Sequence, residues 1–133
     1  MKPTADLLAF FKGSEDQIQA FAQILTSKGI ERGLIGPKEG DRIWDRHIAN
    51  CLPVTTLIPQ GVRVVDIGSG AGLPGIVIAL ARGDLKMTLV EPLQRRVDFL
   101  NEVVVELNLP IEVIRGRAQT LSLIHISEPT RPY

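Results

Sequence analysis

The sequence has little cysteine, few aromatic residues and no excess of either charge. The single cysteine among 133 residues, Cys51, excludes an internal disulfide framework and suits a reducing compartment. Fifteen Lys and Arg residues balance fifteen Asp and Glu residues, so the net charge does not favour a polyanionic partner. A protein with no net charge can still carry a local basic surface. No apolar run has the length of a membrane span or of a signal-peptide core. These absences predict a soluble cytoplasmic protein.

The first sixty residues have helical periodicity. Ser14 and Gln17 have the spacing of a capping box, which predicts a helix that ends at Gly29. Pro37 predicts the first turn of a later helix with one apolar face. The residues on that face are Ile43, His47, Ile48 and Cys51. Residues 1–60 are therefore predicted to form an N-terminal helical region.

From Gly61 onward, β-branched runs alternate with amphipathic segments. The runs "VRVVDI", "MTLVE" and "IEVIRG" predict three strands, with the helices "LPGIVIALARG" and "LQRRVDFLNEVVVELNL" between them. This order predicts an α/β fold with a doubly wound parallel sheet over residues 61–120. Sheets of this kind have roughly five to seven strands, so three strands predict the first half of a Rossmann-like domain in a truncated chain.

The last segment, residues 121–133, reads "LSLIHISEPTRPY". It resembles the in-frame translation of a transposase adapter used in preparing sequencing libraries. We therefore expect a non-native tail and assign it no function. The alternative is a native fourth strand, "SLIHI", followed by a proline-containing tail.

The glycine run "VVDIGSGAGLPG" allows two interpretations. Gly70, Gly72 and Gly75 match G-x-G-x-x-G, a dinucleotide pattern that is weak on its own. The run also reads D-x-G-x-G-x-G, in which an acid precedes three alternating glycines. Those residues are Asp66, Gly68, Gly70 and Gly72.

Asp66 favours S-adenosylmethionine as the cofactor. A carboxylate beside a pyrophosphate would place negative charge against negative charge, whereas the amino acid end of S-adenosylmethionine carries an ammonium and a cationic sulfur. Glycines let the backbone approach a cofactor closely. Glu91, which ends the second predicted strand, is placed to accept hydrogen bonds from ribose hydroxyls in either class of cofactor.

Several motifs together resemble the RsmG (GidB) family of bacterial methyltransferases, which modify a guanine N7 in small-subunit (16S) ribosomal RNA. They are "DIGSGAGLPGI", "DRHIANC", "EPLQRRVDFLNEV" and "RGRAQ". The similarity extends from about Glu31 to Gln119, and "ERGLIGPKEGDRIWDRHIANC" is most similar to the actinobacterial branch. The resemblance implies an rRNA methyltransferase that uses S-adenosylmethionine, with 16S rRNA or the small ribosomal subunit as its partner.

The resemblance also implies roles for particular residues. Gly68 and Leu73 would line the cofactor, Glu91 would hold its ribose, and Ala118 and Gln119 would flank its adenine. The family usually has an acid where Gln119 stands, and a glutamine carbonyl accepts from the adenine amino group more weakly. The family also uses an arginine beyond a fourth strand, so we expect the chain as given to be inactive.

Guanine N7 has an in-plane lone pair and no proton to lose, so its methylation requires alignment rather than a general base. We therefore predict no catalytic acid–base residue, and no metal, because no ligand cluster has zinc-like spacing.

Two basic pairs are candidates for RNA contact, Arg46 with His47 and Arg95 with Arg96. A histidine on an apolar helix face is often a packing residue, and arginines on a mixed helix face are often simply solvated. Two other functions stay open: an NAD-dependent oxidoreductase fragment and a non-catalytic nucleic-acid-binding module.

Overall fold

The computed structural model describes residues 2–121 and 130–132. Its strands form one parallel sheet in the order β3-β2-β1-β4. The elements from residue 63 onward are β1 (Arg63–Ile67), α3 (Gly75–Ala81), β2 (Lys86–Glu91), α4 (Gln94–Glu106), β3 (Glu112–Arg115), α5 (Ala118–Leu121) and β4 (Thr130–Pro132). The α/β class and the three predicted parallel strands are confirmed.

The sheet has one strand more than the sequence predicts. β4 covers three residues and pairs with the outer side of β1, where Val64 lies opposite Arg131. A central strand otherwise presents unpaired backbone groups at this edge, and a short extended segment satisfies them. The alternative strand predicted at 122–126 lies outside the described residues.

Helical turns account for the N-terminal region. They are α1 (Ala5–Leu8), a 3₁₀ turn (Ala9–Phe11), α2 (Glu15–Ile24) with a π turn (Leu25–Gly29), and then 3₁₀ and π turns over Gly40–Arg42, Ile43–Ile48, Ala49–Cys51 and Pro53–Leu57. The prediction that this helix ends at Gly29 is wrong by two residues, because the π turn ends there but helical conformation continues through Glu31. The later helical segment begins at Gly40 rather than in the turn that contains Pro37.

The predicted capping box at the start of α2 is wrong. The Ser14 hydroxyl donates to the carbonyl oxygen of Leu80 at 2.6 Å, and the Gln17 side-chain amide donates to the carbonyl oxygen of Leu107 at 3.0 Å. Both side chains satisfy carbonyls at the ends of α3 and α4 instead of the amides of their own helix. The pair therefore fastens α2 to the sheet domain.

One hydrophobic cluster joins the helical region to the sheet. Phe11, Phe21 and Leu25 from the N-terminal helices pack in the same core as Leu89 and Phe99. Burial of large aromatic side chains supplies much of the hydrophobic free energy of a small core. The N-terminal helices are therefore a structural part of the sheet domain.

Within the part of the chain that the structure describes, none of the helices combines the length and the apolarity needed to cross a membrane.

Candidate cofactor site

The glycine run forms the loop between β1 and α3, at the carboxyl edge of the sheet. The backbone N–H groups of Gly68 and Ser69 both donate to the carbonyl oxygen of Val90, at 2.7 and 3.2 Å. These bonds fasten the first half of the loop to the end of β2. In open parallel sheets, ligands bind at the carboxyl edge of the strands, so the loop stands where a cofactor site is expected.

Asp66 lies beneath this loop and holds its second half. Its side-chain oxygen Oδ2 accepts the backbone N–H of Gly75 at 3.0 Å, and the residue is only 3% exposed. Burial raises the pKa of Asp66 above its usual value; the Gly75 N–H and Ser69 oppose this shift, and the charge of Glu91 adds to it. Asp66 thus bonds to its own loop, a contact for which the local sequence carries no signal.

Glu91 holds the first half of the loop in a similar way. Its Oε1 accepts the N–H of Gly70 at 2.8 Å, and its Oε2 accepts the N–H of Leu93 at 2.8 Å. Glu91 is 1% exposed, so the loop covers its carboxylate. Each carboxylate oxygen has more than one acceptor site, so two N–H bonds leave capacity for hydroxyl donors.

The glycines of the run divide into two kinds. Gly68 and Gly70 have positive φ angles of 77° and 55°, and a Cβ at Gly68 would have no heavy atom within 4 Å, while one at Gly70 would meet only the carbonyl oxygen of Gly68 at 4.0 Å. A Cβ at Gly72 would clash with Ile76, and a Cβ at Gly75 would lie 2.5 Å from Oδ2 of Asp66. Gly68 and Gly70 therefore border open space, whereas Gly72 and Gly75 permit close internal packing.

These residues fit a ligand that carries a ribose. The open space over Gly68 and Gly70 lies on the part of the loop that bonds Glu91, and it is space that a side chain would fill. A carboxylate that has spare acceptor capacity and is bonded to a loop of bare backbone suits paired hydroxyl groups. The loop and the strand-end acid are thus brought together as the sequence predicted.

The other predicted cofactor residues lie around the same edge. Leu73 is half-buried and packs against the core, and its peptide bond to Pro74 is cis. Ala118 and Gln119 are exposed at the start of α5, which follows β3. Gly116 connects this segment to the site, because its N–H donates to the carbonyl oxygen of Glu91 at 3.0 Å.

The helical turns of the N-terminal region hold the first basic pair. Arg46 is exposed, whereas the His47 side chain is 25% exposed with Nε2 3.4 Å from Oε2 of Glu39. Cys51 is buried in the next turn, and burial raises the pKa of its thiol to about 11, with a smaller contribution from the charge of Asp66. The structure gives His47 a packing environment and leaves Arg46 facing solvent.

The second basic pair opens α4, directly after Glu91. Arg95 is exposed and donates from Nη1 to the carbonyl oxygen of Arg32 at 3.2 Å. Arg96 turns the other way, with Nη1 4.0 Å from Oε1 of Glu91. Arg115, at the end of β3, is exposed and donates to the carbonyl oxygen of Pro92 at 3.3 Å. Arg95 therefore faces solvent, whereas Arg96 lies at the candidate cofactor site.

Comparison with protein families identifies a match over most of the chain. A family model described as "GidB: rRNA small subunit methyltransferase G" matches residues 14–129. A "Ribosomal RNA small subunit methyltransferase G" from Mycolicibacterium paratuberculosis is 59% identical over 101 residues, which cover 76% of this chain and 41% of the relative. The protein of the same name from Mycobacterium marinum is 52% identical over 115 residues, 86% of this chain and 50% of the relative. The chain thus spans about half of these relatives or less.

Solved structures support the fold. A precorrin-6y C5,15-methyltransferase from Geobacter metallireducens aligns with a TM-score of 0.52 at 15% identity, over 68% of this chain and 46% of that chain. The C-terminal domain of the enzyme of that name from Rhodobacter capsulatus aligns with a TM-score of 0.50 at 21% identity, over 62% and 45%. These alignments support the α/β fold of the sheet domain. The family model and the relatives show that the chain belongs to the GidB family of rRNA small subunit methyltransferase G.

Proposed function

We propose that the whole protein, of which this chain spans about half the length of its relatives, methylates N7 of a guanine in 16S ribosomal RNA. The methyl donor is S-adenosylmethionine, the cofactor class that the sequence predicted and that membership of a methyltransferase family confirms. The observation that carries the proposal is the contact between the open glycine loop and Glu91. This contact places bare loop backbone, which a cofactor can approach closely, next to an acceptor for ribose hydroxyls.

The loop residues would hold the cofactor in three ways. Gly68 and Gly70 would let the backbone approach it, because no side chain fills the space above them. Glu91 would accept from the ribose hydroxyls through its remaining acceptor sites. Asp66 would not contact the cationic end of S-adenosylmethionine, because its Oδ2 accepts the N–H of Gly75. It would instead hold the loop that contacts this end of the cofactor. Leu73, Ala118 and Gln119 would complete the lining at the same edge.

The reaction needs alignment more than acid–base chemistry. When bound, S-adenosylmethionine supplies an electrophilic methyl group on a cationic sulfur. The N7 lone pair of guanine is already free at neutral pH, so the protein would only have to place it in line and exclude water. Among the described residues, the site contributes two carboxylates that are both bonded to loop amides. Both act on the geometry of the loop, which agrees with a positioning mechanism.

RNA would approach the same edge of the sheet. Arg95 and Arg115 are exposed beside the carboxyl ends of β2 and β3, and Arg46 is exposed on the helical region. Arginine contacts to phosphates supply much of the affinity of proteins for nucleic acids and position the substrate. We propose that these arginines contact the RNA backbone next to the cofactor. An rRNA substrate also implies a cytoplasmic enzyme.

Calorimetric titration distinguishes this function from a nicotinamide enzyme and from a simple RNA-binding module. Protein expressed from the complete gene would be titrated with S-adenosylhomocysteine, the product form of the cofactor, and with NAD. We expect one equivalent of S-adenosylhomocysteine to bind and NAD not to bind, and Glu91→Gln to weaken the binding. Binding of NAD, or RNA binding without any cofactor affinity, would refute the proposal.

A further inference from the structure

Arg96 lies beside Glu91, the ribose-binding acid of the proposed site. Its Nη1 lies 4.0 Å from Oε1 of Glu91, the oxygen that also accepts the Gly70 N–H. We propose that Arg96 is a positioning residue that holds the Glu91 carboxylate, and through it the Gly70 loop, in the orientation that the ribose requires. This inference rests on the proposed cofactor site and gives Arg96 a role different from phosphate contact.

The environment of Arg96 favours this role. The Arg96 side chain is 35% exposed, but its Nε is fully buried and has no hydrogen-bond partner in the described structure. A buried donor without an acceptor costs free energy, so the Nε group does not contribute to holding this side chain in place. The adjacent Arg95 is exposed and bonds to a backbone carbonyl outside the site. The Arg96 guanidinium is therefore directed toward Glu91, whereas that of Arg95 is not.

Burial makes this attraction effective at 4.0 Å. The Glu91 side chain is 2% exposed, so water does not screen its charge as it screens an ion pair on the surface. Asp66, the second buried acid under the loop, is close enough for the charge of Glu91 to contribute to its raised pKa. Arg96 places a cation beside the Glu91 acid of this pair.

The consequence is a fixed pattern of donors around Glu91. Oε1 accepts from Gly70 and Oε2 accepts from Leu93, both at 2.8 Å, and the cation is on the Oε1 side. Rotation of the carboxylate would break both N–H bonds and move Oε1 away from Arg96. The acceptor sites that remain are thereby held in one direction. Such preorganisation reduces the entropy lost when a ligand binds.

Amide hydrogen exchange tests the positioning role without any ligand. The variants are Arg96→Gln, Arg96→Lys and Glu91→Gln, with Lys86→Gln as a matched control that removes a positive charge from the exposed start of β2. We expect Arg96→Gln to speed exchange at the amides of Gly70 and Leu93 about tenfold. Arg96→Lys should restore part of the protection, and Lys86→Gln should leave it unchanged.

Affinity for S-adenosylhomocysteine then tests whether Arg96 acts through Glu91. In protein from the complete gene, Arg96→Gln should weaken binding about tenfold, and the double variant with Glu91→Gln should lose little more than Glu91→Gln alone. Unchanged exchange at Gly70 in Arg96→Gln, equal acceleration throughout α4, or additive losses of affinity would each overturn the inference. If Glu91→Gln itself leaves affinity unchanged, the proposed cofactor site fails and the inference fails with it.

Discussion

Asp66 and Gly75 are joined by a hydrogen bond of 3.0 Å between a side-chain oxygen and a backbone N–H, across the loop that they bracket. The bond closes the loop from beneath, and a Cβ at Gly75 would fall 2.5 Å from the same oxygen. Position 75 therefore requires glycine, because any Cβ there would collide with the carboxylate of Asp66. Both residues set the shape of the loop, while the bare backbone of Gly68 and Gly70 is left to a ligand.

The pH dependence of stability should reveal the buried Asp66. Burial raises its pKa in the folded state, so the folded protein binds this proton more tightly than the unfolded chain. The contribution of Asp66 to stability is therefore complete below its usual pKa and is lost as pH rises through the raised value. Asp66→Asn keeps an oxygen for the Gly75 N–H but does not titrate. Its free energy of unfolding relative to wild type should increase as pH rises above about 4, the usual pKa of an aspartate.

Urea denaturation at several pH values measures this difference. Because only the difference between variant and wild type is used, the titration of acids that are distant from Asp66 cancels. A difference that stays constant with pH, or one that decreases, would contradict the assignment of a raised pKa to Asp66.

Alanine substitutions should separate the two kinds of glycine in the loop. Gly75→Ala should lower the free energy of unfolding by about 2–3 kcal/mol, because the new Cβ collides with Leu89 and Asp66. Gly68→Ala meets open space, so its cost is the backbone strain at a φ of 77°, about 1–2 kcal/mol. In protein from the complete gene, Gly68→Ala should also weaken S-adenosylhomocysteine binding about tenfold or more.

Chemical denaturation and calorimetry provide the two readouts for this pair. A smaller cost for Gly75→Ala than for Gly68→Ala would contradict the close packing assigned to Gly75. Full cofactor affinity in Gly68→Ala would show that the open space over the loop is not the cofactor site.

Arg82 should anchor the last N-terminal turn to the sheet. Its guanidinium donates to the carbonyl oxygens of Thr55 and Ile58, at 2.7 and 2.9 Å, and pairs with Asp84. Arg82→Gln removes most of these charge-assisted bonds and should lower the free energy of unfolding by about 2 kcal/mol. Limited proteolysis should then cut the segment at Pro53–Leu57 faster than in wild type. A Lys86→Gln control should be cut at the wild-type rate, and an unchanged rate in Arg82→Gln would contradict the anchor.

Arg95 should contribute to RNA affinity through phosphate contact. It is exposed at the start of α4, next to the candidate site. Arg95→Gln should weaken binding of 16S RNA at low salt and reduce the slope of log affinity against log salt by about 1. Filter binding over a range of salt concentrations measures that slope, with Lys86→Gln as the control for loss of one positive charge. An unchanged slope in Arg95→Gln would show that Arg95 does not contact an RNA phosphate.

The sequence predicted the parts of the site that depend on local pattern. The alternation of strands and helices fixed the positions of the glycine loop and of Glu91, and parallel strands bring those positions to one edge. The motif "GLPG" and its neighbours pointed to the family that the comparisons confirm. Local patterns were sufficient to predict the positions of the glycine loop and of Glu91 because each lies directly at the end of a strand.

Tertiary partners could not be predicted from the sequence. Ser14 has the spacing of a cap, but its hydroxyl bonds to Leu80, 66 positions along the chain. Asp66 was predicted to face the cofactor, and nothing in the local sequence shows that Gly75 occupies one of its oxygens. Arg95 and Arg96 look equivalent in sequence, and only the packing of α4 against β2 turns one outward and the other toward Glu91.

Methyl transfer to isolated small ribosomal subunits that lack the modification tests the central claim most directly. Protein from the complete gene would be incubated with these subunits and radiolabelled S-adenosylmethionine. Chemical cleavage of the RNA at N7-methylguanine then locates the label. The account predicts about one methyl group per subunit, at N7 of one guanine, and loss of transfer in Glu91→Gln. Label at another atom, or no transfer by a protein that binds S-adenosylhomocysteine, would contradict it.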